Sequence, residues 1–162
     1  MQQREKKTEV KGKTKTRQWL PIRLLIPDID LDAMVVQGID GAALRRGPGH
    51  DPDSTFPGES GNCVIAAHRN MYGWWFYRLG RLGPNSIIQL RTPHETFIYK
   101  VALITTVAET ETSILRAPRA LRSAPRLTLY TCTLPRGSNR IIVVANLIED
   151  KKIKAKASNK AL

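Results

Sequence analysis

The 162-residue chain has no apolar run near the ~18 residues a membrane span requires. Its longest clean run, Ile141–Ala145, is the length of a strand. Met1–Gln18 lacks the apolar region of a secretory leader. Two readings follow: a soluble intracellular protein, or a domain whose hydrophobic leader lies outside this chain. Cysteine is scarce, only Cys63 and Cys132, which is compatible with a disulfide, two thiols, or one reactive and one structural residue. With His50, His68 and His94 they form no CxxC or HExxH spacing, so no metal and no cofactor is expected.

Acidic residues are also few, 14 against 26 Lys and Arg, giving a net charge of +12. The surplus is uneven. Residues 1–17 hold +5 and residues 150–162 hold +4, which leaves +3 for the middle. A nucleic-acid-binding domain needs its cations on a folded face, with aromatics for stacking. The folded part is nearly balanced, so no nucleic-acid partner is expected. The tails read as solvated ends able to touch any polyanion.

What remains is one globular domain, 41% apolar and 25% charged. Residues 1–18 read as a disordered basic segment, 19–149 as the folded domain and 150–162 as a disordered basic tail. From Leu20 to Val36 apolar and polar residues alternate around Pro21 and Pro27, predicting two short edge strands joined by a turn. The Gly/Pro-dense stretch 37–62 predicts a long loop with one helical turn near Gly41–Arg45. Strands are predicted at Asn62–Ala67, Ser86–Arg91, Thr96–Val107, Leu127–Cys132 and Ile141–Glu149, with a short helix near Trp75–Leu82. Strands dominate and Gly/Pro connections recur, which indicates an all-β fold closed into a barrel.

Alternation places Leu127, Leu129 and Thr131 on one face of their strand and Thr128, Tyr130 and Cys132 on the other. A seven-residue turn then returns the chain at Arg140, so Cys132 and Arg140 sit at one rim of the sheet. His68 ends another apolar strand where a loop begins, a place that suits catalytic groups. A thiolate nucleophile, an imidazole that protonates a leaving amine and an arginine that holds an oxyanion make a complete set. The same residues also fit a blander reading, a buried small cysteine and a solvated arginine.

The segment Thr128-Leu129-Tyr130-Thr131-Cys132, with Arg140 before an apolar strand, resembles the TLxTC…R signature of the sortases, bacterial cysteine transpeptidases. Val64-Ile65-Ala66-Ala67-His68-Arg69 is similar to the family's (I/L)AGHR segment, and Gly47–His50 and Pro57–Asn62 to the loop before it. The likeness runs from about Ile22 to Leu147. It departs at Ala67, where the family usually has glycine, and at Asn85-Ser86, where Gly-Asp is common. The resemblance implies a closed eight-stranded β-barrel with one or two short helices. It implies Cys132 as nucleophile, His68 as general acid and base, and Arg140 rather than Arg136 as the steadying cation. Thr131, Ala67, Ile114 and Leu115 become expected substrate contacts, the last two through an apolar groove in the 108–125 loop.

The implied reaction cleaves an LPxTG- or LAxTG-like sorting motif of a secreted surface protein through a thioacyl enzyme. Transfer follows to an amine acceptor of peptidoglycan or a pilin, at the outer face of the cell membrane, with a membrane tether expected upstream of this chain. The pattern is closest to class E or D. Residues 1–22 contain no Asp-Pro-aromatic lid motif, which argues against the pilin-polymerising alternative. A non-catalytic basic barrel that binds anionic polymers is the alternative from another class. Cys63, about 16 Å along the strand from His68 and facing the other way, reads as a buried free thiol. His50 reads as a loop hydrogen-bonder and His94 as exposed. Met71, Tyr72, Trp74, Trp75 and Phe76 read as a plug over one barrel end. Glu109 and Glu111 alone do not make a calcium site.

Overall fold

A computed structural model describes residues 18–116, 123–132 and 137–153. The strands are β1 (Ile22–Ile26), β2 (Leu31–Gln37), β3 (Gly49–His50), β4 (Gly61–Ala66), β5 (Ile87–Arg91), β6 (Glu95–Ala108), β7 (Pro125–Cys132) and β8 (Asn139–Lys152), with one short helix, α1 (Gly41–Leu44). They close into a barrel in the order β1-β2-β3-β4-β7-β8-β6-β5. β2–β3 and β4–β7 are parallel, and the other pairs run antiparallel. Alternation fills the interior. Ile22, Leu24 and Ile26 point inward from β1, Leu31, Ala33 and Val35 from β2, and Leu127 and Leu129 from β7. The long β6–β8 ladder carries irregularities at Ile98/Tyr99 and Val101/Leu103. Such breaks let long strands bend around a closed sheet.

Several sequence expectations change. β1 is no edge strand, because it pairs with β2 on one side and β5 on the other. Pro21 precedes it, and Pro27 opens a 3-10 turn over Pro27–Ile29. Neither proline therefore removes a ladder bond. The long loop holds the expected helical turn, capped by the Asp40 carboxylate, which accepts from the N–H groups of Ala42 and Ala43. It also holds β3, too short to show a period in sequence. A side chain at Gly49 would run into the Gly38 carbonyl, so β3 needs glycine for that close approach.

The helix expected near Trp75–Leu82 is instead a run of turns ending in a 3-10 segment at Leu79–Arg81. Phe76, Leu79 and Leu82 are all buried, and their three-residue spacing matches the 3-10 period. The aromatic group thus divides. Phe76 and Trp75 pack on the core, while Met71, Tyr72 and Trp74 stay exposed. At the C-terminus β8 runs through Asp150, Lys151 and Lys152, three residues into the expected tail. The remaining tail residues 154–162, the segment 1–17 and Arg136 lie outside the described residues. Among the described residues no helix is long and apolar enough to cross a membrane.

Candidate active site

The outer face of β4, β7 and β8 is unusual for a barrel exterior because much of it is buried. Val64, Ala66, Thr128, Ile142 and Val144 face away from the core, yet each is 3% exposed or less. Thr128 faces Val64 on one side and Val144 on the other, and Tyr130 likewise lies between Ala66 and Ile142. A 3-10 turn at Ser113–Leu115 lies against this face. It is held by Asn62, whose Nδ2 donates to the Leu115 carbonyl at 2.8 Å. Asn62 Oδ1 in turn accepts from the buried Thr128 hydroxyl at 2.8 Å. The result is a groove. Its wider part, about 640 Å³, runs between residues 51–62 and Thr112, Leu115 and Arg116. A smaller part, about 220 Å³, continues past Thr112 and Leu115 to Tyr130, Ile142 and Arg140.

The next rung along the same face holds the candidate residues from the sequence. Cys132 is directly opposite Arg140 in the β7–β8 register. On the other side β4 runs parallel to β7, with Ala66 beside Tyr130. Two bonds extend that pairing beyond the strand. Ala67 N–H donates to the Tyr130 carbonyl at 3.3 Å, and the Thr131 hydroxyl donates to the Ala67 carbonyl at 2.8 Å. Continued two residues past Ala66, this pairing brings the backbone of His68 level with Cys132 and Arg140; Cys132 and Arg140 lie on the outer face of their strands, and Arg140 lines the groove. Cys132 and His68 are partly exposed. Cys63 is a fully buried free thiol on the inner face, where burial pushes its pKa well above the ordinary thiol value.

Arg140 is held from several directions. Its Nη1 donates to the Gly137 carbonyl at 2.6 Å and to that of Asn139 at 3.2 Å. Nη2 pairs with the Glu109 carboxylate at 2.7 Å. A guanidinium has further N–H donors, so these bonds orient it without exhausting it. Tyr130, the neighbouring groove residue, has its phenol pKa raised, chiefly by burial and then by the Asp51 carboxylate. His68 is flanked by Tyr72, ring centroids 5.3 Å apart, and the Arg45 guanidinium lies 5.8 Å from that tyrosine ring. Tyr72, Gly73 and Trp74 all have positive φ, at 49°, 100° and 56°. Gly73 adopts this region freely, but Tyr72 and Trp74 do so at a cost, and strain of this kind gathers at functional sites.

The other expected contacts divide. Leu115 lines the groove, and Ile114 is partly buried in the same turn. Thr131 and Ala67 are buried; both face inward and are bonded to each other, so they brace the rung from behind instead of lining the groove. Burying the Thr131 hydroxyl requires a partner, and the Ala67 carbonyl just past β4 supplies one. The roles of Asn62, Thr128, Glu109 and Tyr72 beside the groove are not legible in the sequence, although Thr128 stands in the signature segment. Only Asn62 carried a signal, as a polar residue inside an apolar strand. His50 is a buried loop hydrogen-bonder, Nε2 meeting the Thr55 carbonyl at 2.9 Å, and His94 is exposed. Glu111 accepts from the Ser113 N–H. Among the described residues no three His, Cys, Asp or Glu side chains gather to hold a metal.

The chain is similar to known proteins in sequence and in fold. A Sortase D of Bacillus subtilis (strain 168) is 33% identical over 92 residues, 57% of this chain but only 45% of the relative's length. Sortase E from Streptomyces avermitilis superposes with a TM-score of 0.76 at 26% identity, covering 85% of this chain and 93% of that one. A Sortase D5 transpeptidase of Clostridium perfringens gives 0.72 at 28% identity, covering 80% and 79%. The family model for the sortase domain matches residues 24–148, and the chain belongs to the sortase family.

Proposed function

We propose that the protein is a cysteine transpeptidase acting on a C-terminal sorting motif of secreted surface proteins, with Cys132 as nucleophile. What supports this reading is the pairing of Cys132 with Arg140 at the end of the groove, with the β4–β7 pairing continued past Ala66 bringing His68 level with them. An extended peptide laid along the β4/β7/β8 face past Leu115 brings its scissile carbonyl to that rung. The Cys132 thiolate adds to the carbonyl carbon of a Thr–Gly-type bond, and the electron pair moves to the oxygen. The Arg140 guanidinium, which stays charged at any working pH, receives that oxyanion. Collapse breaks the C–N bond, and His68 gives its proton to the departing amine.

The second half reverses the proton flow. A primary amine from peptidoglycan or a pilin attacks the thioester, His68 takes its proton, and the thiolate leaves as the new amide forms. No oxidant or metal enters the balance. A panel of LPxTG- and LAxTG-type peptides with several amine acceptors, read by mass spectrometry for a thioester on Cys132, tests the reading. Cys132→Ala is expected to abolish cleavage of every peptide while the circular dichroism and melting curve stay native. Substantial turnover by that variant overturns the assignment.

A further inference from the structure

A second polar pocket, about 400 Å³, opens at the same end of the barrel. Arg69, Tyr77, Arg81 and Thr106 line it, together with Gly80 and Ile141. Arg69 directly follows His68, and its Nε is buried without a hydrogen-bond partner. Among the described residues Arg23, Arg78 and Arg140 have a carboxylate partner, while exposed arginines such as Arg45 and Arg116 have none. Among the described residues Arg69 and Arg81 have none, and no acid lines their pocket. Two guanidinium groups sharing a concave site, with a donor left unmade, form a site for an anionic oxygen group.

Its position relates it to the reaction. Arg140 and Ile142 line the outer groove, whereas Ile141 between them lines this pocket. The pocket therefore lies across β8 from the peptide groove, beside the residue that follows His68. We propose that it receives the carboxylate or phosphate of the incoming amine acceptor, an inference that rests on the transpeptidase reading for the acceptor's role. Anchored there, an acidic acceptor reaches the thioester around the end of β8, where Ile141 adjoins Arg140.

Two measurements test this independently. In the first, sodium phosphate or sodium glutarate is titrated against chloride at fixed ionic strength, following the Arg69 Nε–H resonance of labelled protein. A saturable shift is expected, weakened at least tenfold by Arg81→Gln. No saturable shift in the unsubstituted protein overturns the site whether or not the chain cleaves peptides. In the second, the thioacyl enzyme is offered β-alanine against β-alaninamide, and 2-aminoethyl phosphate against ethanolamine. The acidic member of at least one pair is expected to be used at a tenfold lower KM, and Arg81→Gln to bring that preference close to unity. The preferred pair distinguishes carboxylate from phosphate. Equal use of acidic and neutral acceptors overturns the acceptor assignment. Absence of any Cys132-dependent cleavage sinks the transpeptidase reading and leaves the titration to judge the pocket.

Discussion

Cys132 and Arg140 are partners on one rung of β7 and β8, and the far side of the arginine is tied to Glu109 at 2.7 Å. The strand ladder fixes where the guanidinium starts, and the carboxylate fixes where it ends. Arg140→Lys keeps the charge but loses the planar fork. We expect the kcat for peptide cleavage to fall by about 10²-fold, with an unchanged melting temperature. Glu109 is 59% exposed, so Glu109→Gln is expected to cost less than ~1 kcal/mol of stability. A larger loss in urea unfolding would mean the pair holds the fold rather than the cation.

Asn62 joins the groove floor to its cover. Asn62→Ala removes the bonds to Thr128 and to the Leu115 carbonyl and leaves a buried hydroxyl unpaired. A destabilisation of ~1–3 kcal/mol is expected, with a raised KM for the sorting peptide as the Ser113–Leu115 turn loosens. A normal KM in a destabilised variant would separate the turn from peptide binding.

The two thiols should differ sharply toward alkylation. Iodoacetamide is expected to label Cys132 alone in the native protein and both cysteines after denaturation, as counted by mass spectrometry. Burial raises the folded-state pKa of Cys63, so the folded state holds its proton more tightly than the unfolded chain. The resulting stability is complete below the unfolded thiol value, near ~8.5, and is lost as pH rises above it. The loss is about 1.4 kcal/mol per pH unit. Cys63→Ala should flatten the fall in urea midpoint between pH 8.5 and 10. An unchanged slope contradicts the assignment.

Gly73 has φ of 100°, and an added Cβ would sit 2.6 Å from the Trp75 ring. Gly73→Ala is therefore expected to destabilise the loop by ~1–3 kcal/mol and shift tryptophan emission. It should also lower kcat more than it raises KM, because Tyr72 beside it packs on His68. Native kcat with a shifted emission would detach the loop from the histidine.

The barrel, its longer strands and the neighbourhood of Cys132 and Arg140 are legible because each leaves a local mark: period-two alternation, a Pro or Gly boundary, or a motif around Cys132. β3 is not, since two residues have no period. The 3-10 run through Phe76, Leu79 and Leu82 was misread as a helix because both place apolar residues three apart. The pairing of Glu109 with Arg140, and of Asn62 with Thr128 and Leu115, joins residues distant in sequence. Only the closed register brings them together.

The parallel alliance of β4 and β7 has an evolutionary corollary. Between β4 and β7 the chain crosses to the far side of the barrel, builds β5 and β6 into the wall there, and returns to pair β7 beside β4. Lengthening or exchanging the piece between β6 and β7 would re-tailor which peptide is accepted while sulfur, imidazole and guanidinium keep their seats. Under the proposed function, specificity can therefore diversify without disturbing the chemistry.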